Sequence, residues 1–199
     1  MRKYLLIAAL SICYGISTGQ SSWKFRSDNY VGLSAGEIGE QGHLQTVNGL
    51  YKGAWFLGLG AGVDDYRFRS IPLFLSVTRD LPAFNNRSGL FLYLDGGINL
   101  PWYKREPTPY QEAVISSDKF HAGPWGSAGL GYKWRISART DKALLFSAGY
   151  SMKKLTEKLV GKSPCYAYSC PVEPIQPMQQ SYIYDYLNHT FLFLVGFRF

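Results

Sequence analysis

The stretch Phe191-Leu192-Phe193-Leu194-Val195-Gly196-Phe197-Arg198-Phe199 decides the fold. Phe191, Phe193, Val195, Phe197 and Phe199 fall on one side of an extended chain, with Thr190, Gly196 and Arg198 on the other, the period of two that marks a β-strand. Leu192 and Leu194 carry apolar character onto the second side. The pattern recurs upstream. Trp55, Leu57, Leu59, Ala61 and Val63 oppose Phe56, Gly58, Gly60 and Gly62; Ile71, Leu73, Leu75 and Val77 oppose Pro72, Phe74, Ser76 and Thr78; Leu90, Leu92 and Leu94 oppose Phe91, Tyr93 and Asp95. Further on, Ala128, Leu130, Tyr132 and Trp134 oppose Ser127, Gly129, Gly131 and Lys133, and Leu144, Phe146, Ala148 and Tyr150 oppose Leu145, Ser147 and Gly149. Two weaker segments, Asn29 to Gly36 and His43 to Tyr51, bring the count to eight.

The connections sort by length. Lys52-Gly53, Pro82 to Ser88 and Ser137 to Lys142 are short, whereas Trp102 to Lys119 and Lys153 to Asp185 are long. Alternating short and long connections with both termini on the short side predict an all-β, eight-stranded antiparallel up-and-down transmembrane β-barrel, its short turns in the periplasm. Beyond the N-terminal segment no apolar run nears the roughly 18 residues of a membrane helix. A strand in lipid must satisfy its backbone through its neighbours and turn apolar side chains outward, as these stripes do. A soluble lipocalin-like barrel, the rival, would turn large apolar residues inward and charge its exterior, whereas the face opposite these stripes is rich in glycine, serine and alanine. Charged residues are only 18% of the chain, low for a surface facing water throughout. Tyr51, Trp55, Tyr132, Trp134 and Phe199 at one set of strand ends, and Tyr66, Trp102, Tyr103, Tyr150 and Tyr186 at the other, are read as interface girdles.

The N-terminus reads as an export signal. Arg2 and Lys3 precede the apolar run Tyr4 to Ile12, and the small residues Ser17 and Gly19 place cleavage before Gln20, giving a signal peptide over 1–19 and one barrel domain over 20–199. Acylation at Cys13 is disfavoured by Ile12, where a small residue is needed. The mature chain keeps Cys165 and Cys170, an even pair in an exported protein and hence a disulfide candidate. The formal charge of +7 includes no long basic run that would follow a nucleic-acid backbone, so lipid head groups and lipopolysaccharide phosphates are the expected partners rather than nucleic acid.

The terminal strand at 191–199, with Phe-Leu-Gly-Leu-Gly-Ala-Gly-Val at 56–63 and Ile-Pro-Leu-Phe-Leu at 71–75, resembles the small porin-like outer-membrane β-barrel family of the OmpX/OmpA type across nearly all of the mature chain. The resemblance implies a location in the outer membrane of a Gram-negative bacterium. It also implies an assembly signal in the closing aromatics, Phe197 and Phe199, read by the barrel-assembly machinery. The Cys165 to Cys170 segment departs from the family, and no functional residue transfers with the likeness.

Chemistry is sparse. His43, His121 and His189 lie at strand starts on the outer side near Glu37, Glu40, Asp64, Asp65, Asp118 and Asp185, yet their phase sets His121 inward and His189 toward lipid, against a converging metal or hydrolase site. Asp95 sits mid-strand on the inner face, where Lys133 or Arg198 would offset its charge, making these three the interior polar candidates. Tyr166, Tyr168, Tyr182 and Tyr184, preceded by Lys153, Lys154, Lys158 and Lys162, suit a contact surface. No catalytic, cofactor or metal residue is expected. A monomeric structural or surface-interaction barrel is therefore expected, its outer loops open to ligand or adhesive contact. A narrow passive channel and a lipid-modifying enzyme are the alternatives.

Overall fold

The structure, a computed structural model, describes residues 23–82, 88–102, 115–136, 142–162 and 179–199. Nine strands follow one another: β1 (Lys24–Gly36), β2 (Gly39–Lys52), β3 (Trp55–Asp64), β4 (Ser70–Asp80), β5 (Ser88–Pro101), β6 (Ile115–His121), β7 (Gly123–Arg135), β8 (Ala143–Lys162) and β9 (Gln179–Arg198). β6 and β7 are one stave broken at Ala122. β7 pairs with the lower part of β8 (Trp125↔Lys153) and β6 with its upper part (His121↔Thr156), one residue out of step. The sheet therefore has eight staves. It is antiparallel throughout, and it closes because β9 pairs with both β8 (Ala143↔Arg198) and β1 (Asp28↔Arg198). Among the described residues closure gives each stave of the barrel wall a neighbour on both sides, the condition for a sheet to cross lipid.

Alternation along each stave matches the sequence pattern. Leu57, Leu59, Leu75, Leu94, Phe191 and Phe193 are exposed on the outer wall, while Phe56, Phe74, Phe91, Leu145, Leu192 and Leu194 fill the interior. Large apolar side chains thus occur on both faces. Inside, they fit because glycine stands opposite: a Cβ on Gly60 would lie 2.2 Å from the Phe74 ring, and one on Gly131 2.1 Å from the Phe91 ring. Positive φ at Gly39 (102°) and Gly53 (61°) shapes the tight turns on either side of β2.

The strands run further than their sequence pattern indicated. β1 begins at Lys24 and β2 at Gly39, joined by the two-residue turn 37–38. The β3–β4 connection is only 65–69, so long outer connections are confined to 102–114 and 163–178. Most of the expected 153–185 loop is strand, since β8 and β9 stay paired from Ala143↔Arg198 to Lys162↔Gln179. Lys154, Thr156 and Lys158 on the outward side of β8 and Asp185 on that of β9 interrupt the apolar stripe there. The girdles also lose members. Tyr66 is 2% exposed inside the barrel, Tyr51 packs against the interior cluster around Val47 and Phe56, and Tyr186 contacts Phe68 inside the mouth. Trp55, Tyr132, Trp134 and Phe199 on one side, and Trp102 and Tyr150 on the other, stay on the wall. Tyr103 lies outside the described residues.

Two stability predictions follow from this wall. Leu94→Arg, near mid-bilayer on β5, is expected to cost about 2–4 kcal/mol and Leu57→Arg, beside the Trp55 girdle, about 0–1 kcal/mol, measured by denaturant unfolding in lipid vesicles; equal costs would refute the membrane placement. Gly131→Val is expected to lose at least about 1–3 kcal/mol because Phe91 cannot retreat, whereas Gly42→Ala, with nothing within 4 Å, is neutral in the same assay.

Candidate functional site

The interior is layered. At the periplasmic end Asp28 accepts from Arg26 (Nη2 to Oδ2 2.6 Å) and from Arg198 (Nε to Oδ1 2.8 Å, Nη2 to Oδ2 3.1 Å), with all three buried. Lys133 pairs with Asp80, and the Arg26 guanidinium stacks 3.9 Å from the centre of the Phe56 ring. Asp95 sits apart from these cations. Its carboxylate accepts from the hydroxyls of Ser127 (2.9 Å) and Ser76 rather than from Lys133 or Arg198, whose charges Asp80 and Asp28 already meet. All three interior candidates do face the lumen, as their phase required. The sequence reading missed Arg26, Asp28 and Asp80. Arg26, Asp28 and Tyr30 share one face two residues apart, a signal that emerges only because β1 begins at Lys24, ahead of the Asn29–Gly36 pattern.

Among the described residues the lumen holds a small space of about 10 Å³ beside Asp28, Tyr30, Tyr93 and Asp95, room for one water. A vestibule of about 90 Å³ opens at the periplasmic end, lined by Arg26, Tyr51, Asp80, Lys133, Arg135 and Arg198. Between and above them the aromatic layer of Phe56, Phe74 and Trp125 packs the bore.

The outer end is capped by the 65–69 connection. Asp64 binds the buried Lys153 ammonium at 3.0 Å and accepts the Tyr66 backbone N–H at 2.8 Å, and Lys153 also donates to Ser70 Oγ and the Phe68 carbonyl, each at 3.3 Å. The Tyr66 hydroxyl accepts from the Ile38 N–H at 3.2 Å, and Phe68 meets the rings of Phe120 and Tyr186. Arg67 holds φ 62°, an uncommon conformation for a residue with a Cβ, and lays its guanidinium 4.4 Å from the centre of the Tyr186 ring.

Above this cap β8 and β9 continue without the rest of the wall. β1 releases β9 at Thr190, so residues 179–189, roughly 35 Å of strand, rise beside β8 and β6 alone. Register sets Tyr182 opposite Leu159, Tyr184 opposite Glu157 and Tyr186 opposite Leu155, placing one tyrosine row on the side that faces the mouth. Tyr182 and Tyr184 are exposed, and the Tyr186 hydroxyl donates to Glu157 Oε2 at 2.7 Å. The opposite side carries Lys154, Thr156 and Lys158 on β8. There the Thr156 hydroxyl and Lys154 hold the exposed Asp185 carboxyl below its ordinary range.

The histidines do not converge. His43 is buried inside, its Nε2 3.0 Å from Gln45 Oε1, and His189 bonds Tyr150 on the outer wall. His121, expected inward, is exposed: the slip at Ala122 reverses the phase, so Phe120 points in and His121, opposite Thr156, points out. Among the described residues no group of three His, Cys, Asp or Glu side chains is placed to hold a metal ion. Phe197 and Phe199 stack on the wall at the periplasmic rim, their ring centres 6.0 Å apart. Cys165 and Cys170, with Tyr166, Tyr168 and the prolines near them, lie outside the described residues.

A closed barrel of eight staves with a lipid-facing apolar wall has a counterpart among solved structures. The outer membrane protein OprG from Pseudomonas aeruginosa matches with a TM-score of 0.53 at 12% sequence identity, over 88% of this chain and 91% of that one. This chain has the outer-membrane β-barrel fold. At that identity the likeness concerns architecture alone, and it agrees with the small-barrel resemblance of the terminal strand. No protein-family model and no curated protein matches the sequence.

Removing one member of the seam cluster leaves buried charge behind. Asp28→Ala, which strands Arg26 and Arg198, is expected to cost about 3–5 kcal/mol, read as a lower denaturant midpoint of the refolded protein. An unchanged midpoint would show that the arginines are already hydrated.

Proposed function

We propose that the protein is a non-enzymatic surface-interaction barrel of the outer membrane of a Gram-negative bacterium, which holds a tyrosine-lined face above the outer leaflet. The observation that carries this reading is the rise of β6, β8 and β9 beyond the rest of the rim, with Tyr182, Tyr184 and Tyr186 in a row over the capped mouth. Tyrosine offers a large, amphipathic contact area with little chain entropy to lose. The strands that carry it are paired, so the face is set before a partner arrives.

The outward side of the same strands supports lipopolysaccharide as the surrounding partner. Lys119 on β6 stands directly opposite Lys158 on β8, with Lys154 two pleat repeats below, beyond the Tyr150–His189 level of the wall. Like charges opposed across strands disfavour pairing unless an anion lies between them, and the phosphates of lipopolysaccharide lie at that depth. The packed bore favours this reading over a passive channel, because an open path would have to displace both the Phe56–Phe74–Trp125 layer and the Asp64–Lys153 pair.

The test is adhesion of cells displaying the protein to epithelial monolayers and immobilised glycans. Displaying cells are expected to adhere several-fold above vector controls, and a Tyr182→Ser, Tyr184→Ser variant to fall to the control level while keeping heat-modifiable gel migration. Wild-type cells that adhere no better than controls, or a variant that adheres like wild type, would overturn the assignment.

A further inference from the structure

Among the described residues the outer wall between the two girdles is apolar except on one panel. There Asn29 on β1 and Thr46 and Asn48 on β2 lie on the outward phase of their strands, Asn48 exposed and the other two half-buried, and with the buried Ser27 their side chains form a continuous ladder. Asn29 Nδ2 donates to Ser27 Oγ at 3.2 Å, Thr46 Oγ1 donates to Asn29 Oδ1 at 2.9 Å, and Asn48 Nδ2 donates to Thr46 Oγ1 at 3.3 Å. The ladder lies within the hydrocarbon band. Leu44 and Leu50 bracket its β2 members and Phe25 and Val31 its β1 members, and all four of these flanking residues are exposed on the same wall. Register places Asn48 opposite Leu59 and Thr46 opposite Ala61, above the Trp55 girdle.

We infer that this β1–β2 panel is the interface with a second copy of the chain, the two barrels meeting about a two-fold axis along the membrane normal. Acyl chains offer nothing to a carboxamide, and Asn48, the exposed end of the ladder, carries two donors and an acceptor of which one N–H serves Thr46. A partner must therefore bring polar groups to this depth in the membrane. A second copy inserted in the same direction does so by symmetry, since its own ladder lies at the identical depth. Serine, threonine and asparagine each both donate and accept, so the ladder is its own complement.

The neighbouring surface suits close approach. Asn48 and Thr46 border an apolar hollow of about 580 Å³ floored by Ala61, Gly96 and Gly97 and walled by Leu59, Leu73 and Leu75. A Cβ on Gly96 would meet nothing within 4 Å, so the wall is low there and can receive a neighbour's projecting leucines. Where the sequence alone pointed to a monomer, this panel points to a dimer.

The test is photo-crosslinking in intact cells, with a photoreactive phenylalanine analogue placed at Leu59 beside the ladder or at Leu130 on the far wall. Position 59 is expected to give a product of twice the chain's mass and position 130 none. A Thr46→Val, Asn48→Leu variant is expected to reduce the position 59 product at least fivefold while the barrel stays heat-modifiable. No product at position 59 from a heat-modifiable barrel would overturn the inference, and so would a product joined to a different protein, equal products at both positions, or a product that survives the double substitution.

Discussion

Every stave must find a hydrogen-bonding neighbour on both sides where it crosses the membrane, because lipid supplies no substitute for an unpaired backbone group. That requirement makes the pairing of β1 with β9 the decisive contact, since without it eight staves would leave two open edges in the membrane. The sequence invests in this seam. Asp28 on β1 holds Arg198 on β9 through two hydrogen bonds, so the first and last strands are joined by side chains as well as by backbone. Arg26 shares the same carboxylate and rests on Phe56, tying the seam to β3 inside the barrel.

A bore of eight staves is narrow, and its contents follow from that width. Aromatic rings are admitted where glycine clears the opposite wall, as at Gly60 and Gly131. Most charges enter with a counter-charge, Lys133 with Asp80 near the periplasm, Asp28 between Arg26 and Arg198, and Lys153 with Asp64 under the outer cap, while Asp95 is met by serine hydroxyls. Each lysine pair reaches across the lumen between strands distant in sequence. The cross-links hold the cylinder's shape and occupy the path a solute would need.

The rim is slanted. β1–β4 end in the short connections 37–38 and 65–69, whereas β6, β8 and β9 rise well past them. One side of the barrel therefore stops near the outer girdle while the other presents aromatic and basic faces beyond it. This asymmetry separates three surfaces on one small protein: the tyrosine row over the mouth, the lysines turned outward, and the polar ladder low on the adjoining β1–β2 part of the wall.

Strand number, antiparallel order, the lipid-facing stripes and the closing aromatic strand were all legible in the sequence, because lipid outside and a narrow lumen inside impose a two-residue period that each segment obeys locally. The inward placement of Asp95, Lys133 and Arg198 followed from the same period. Partner choice did not, because which carboxylate meets which cation depends on the stagger of strands around the cylinder, and that brought Asp28 and Asp80, not Asp95, to the cations. The extension of β8 and β9 escaped because strands above the membrane need no apolar stripe, so their pairing shows only in the register. His121 was misplaced by a single-residue slip at Ala122, which local alternation cannot reveal. Local periodicity determined which residues face lipid; the tertiary structure decided which residues meet, because contacts across a barrel are set by closure and stagger rather than by neighbours in the chain.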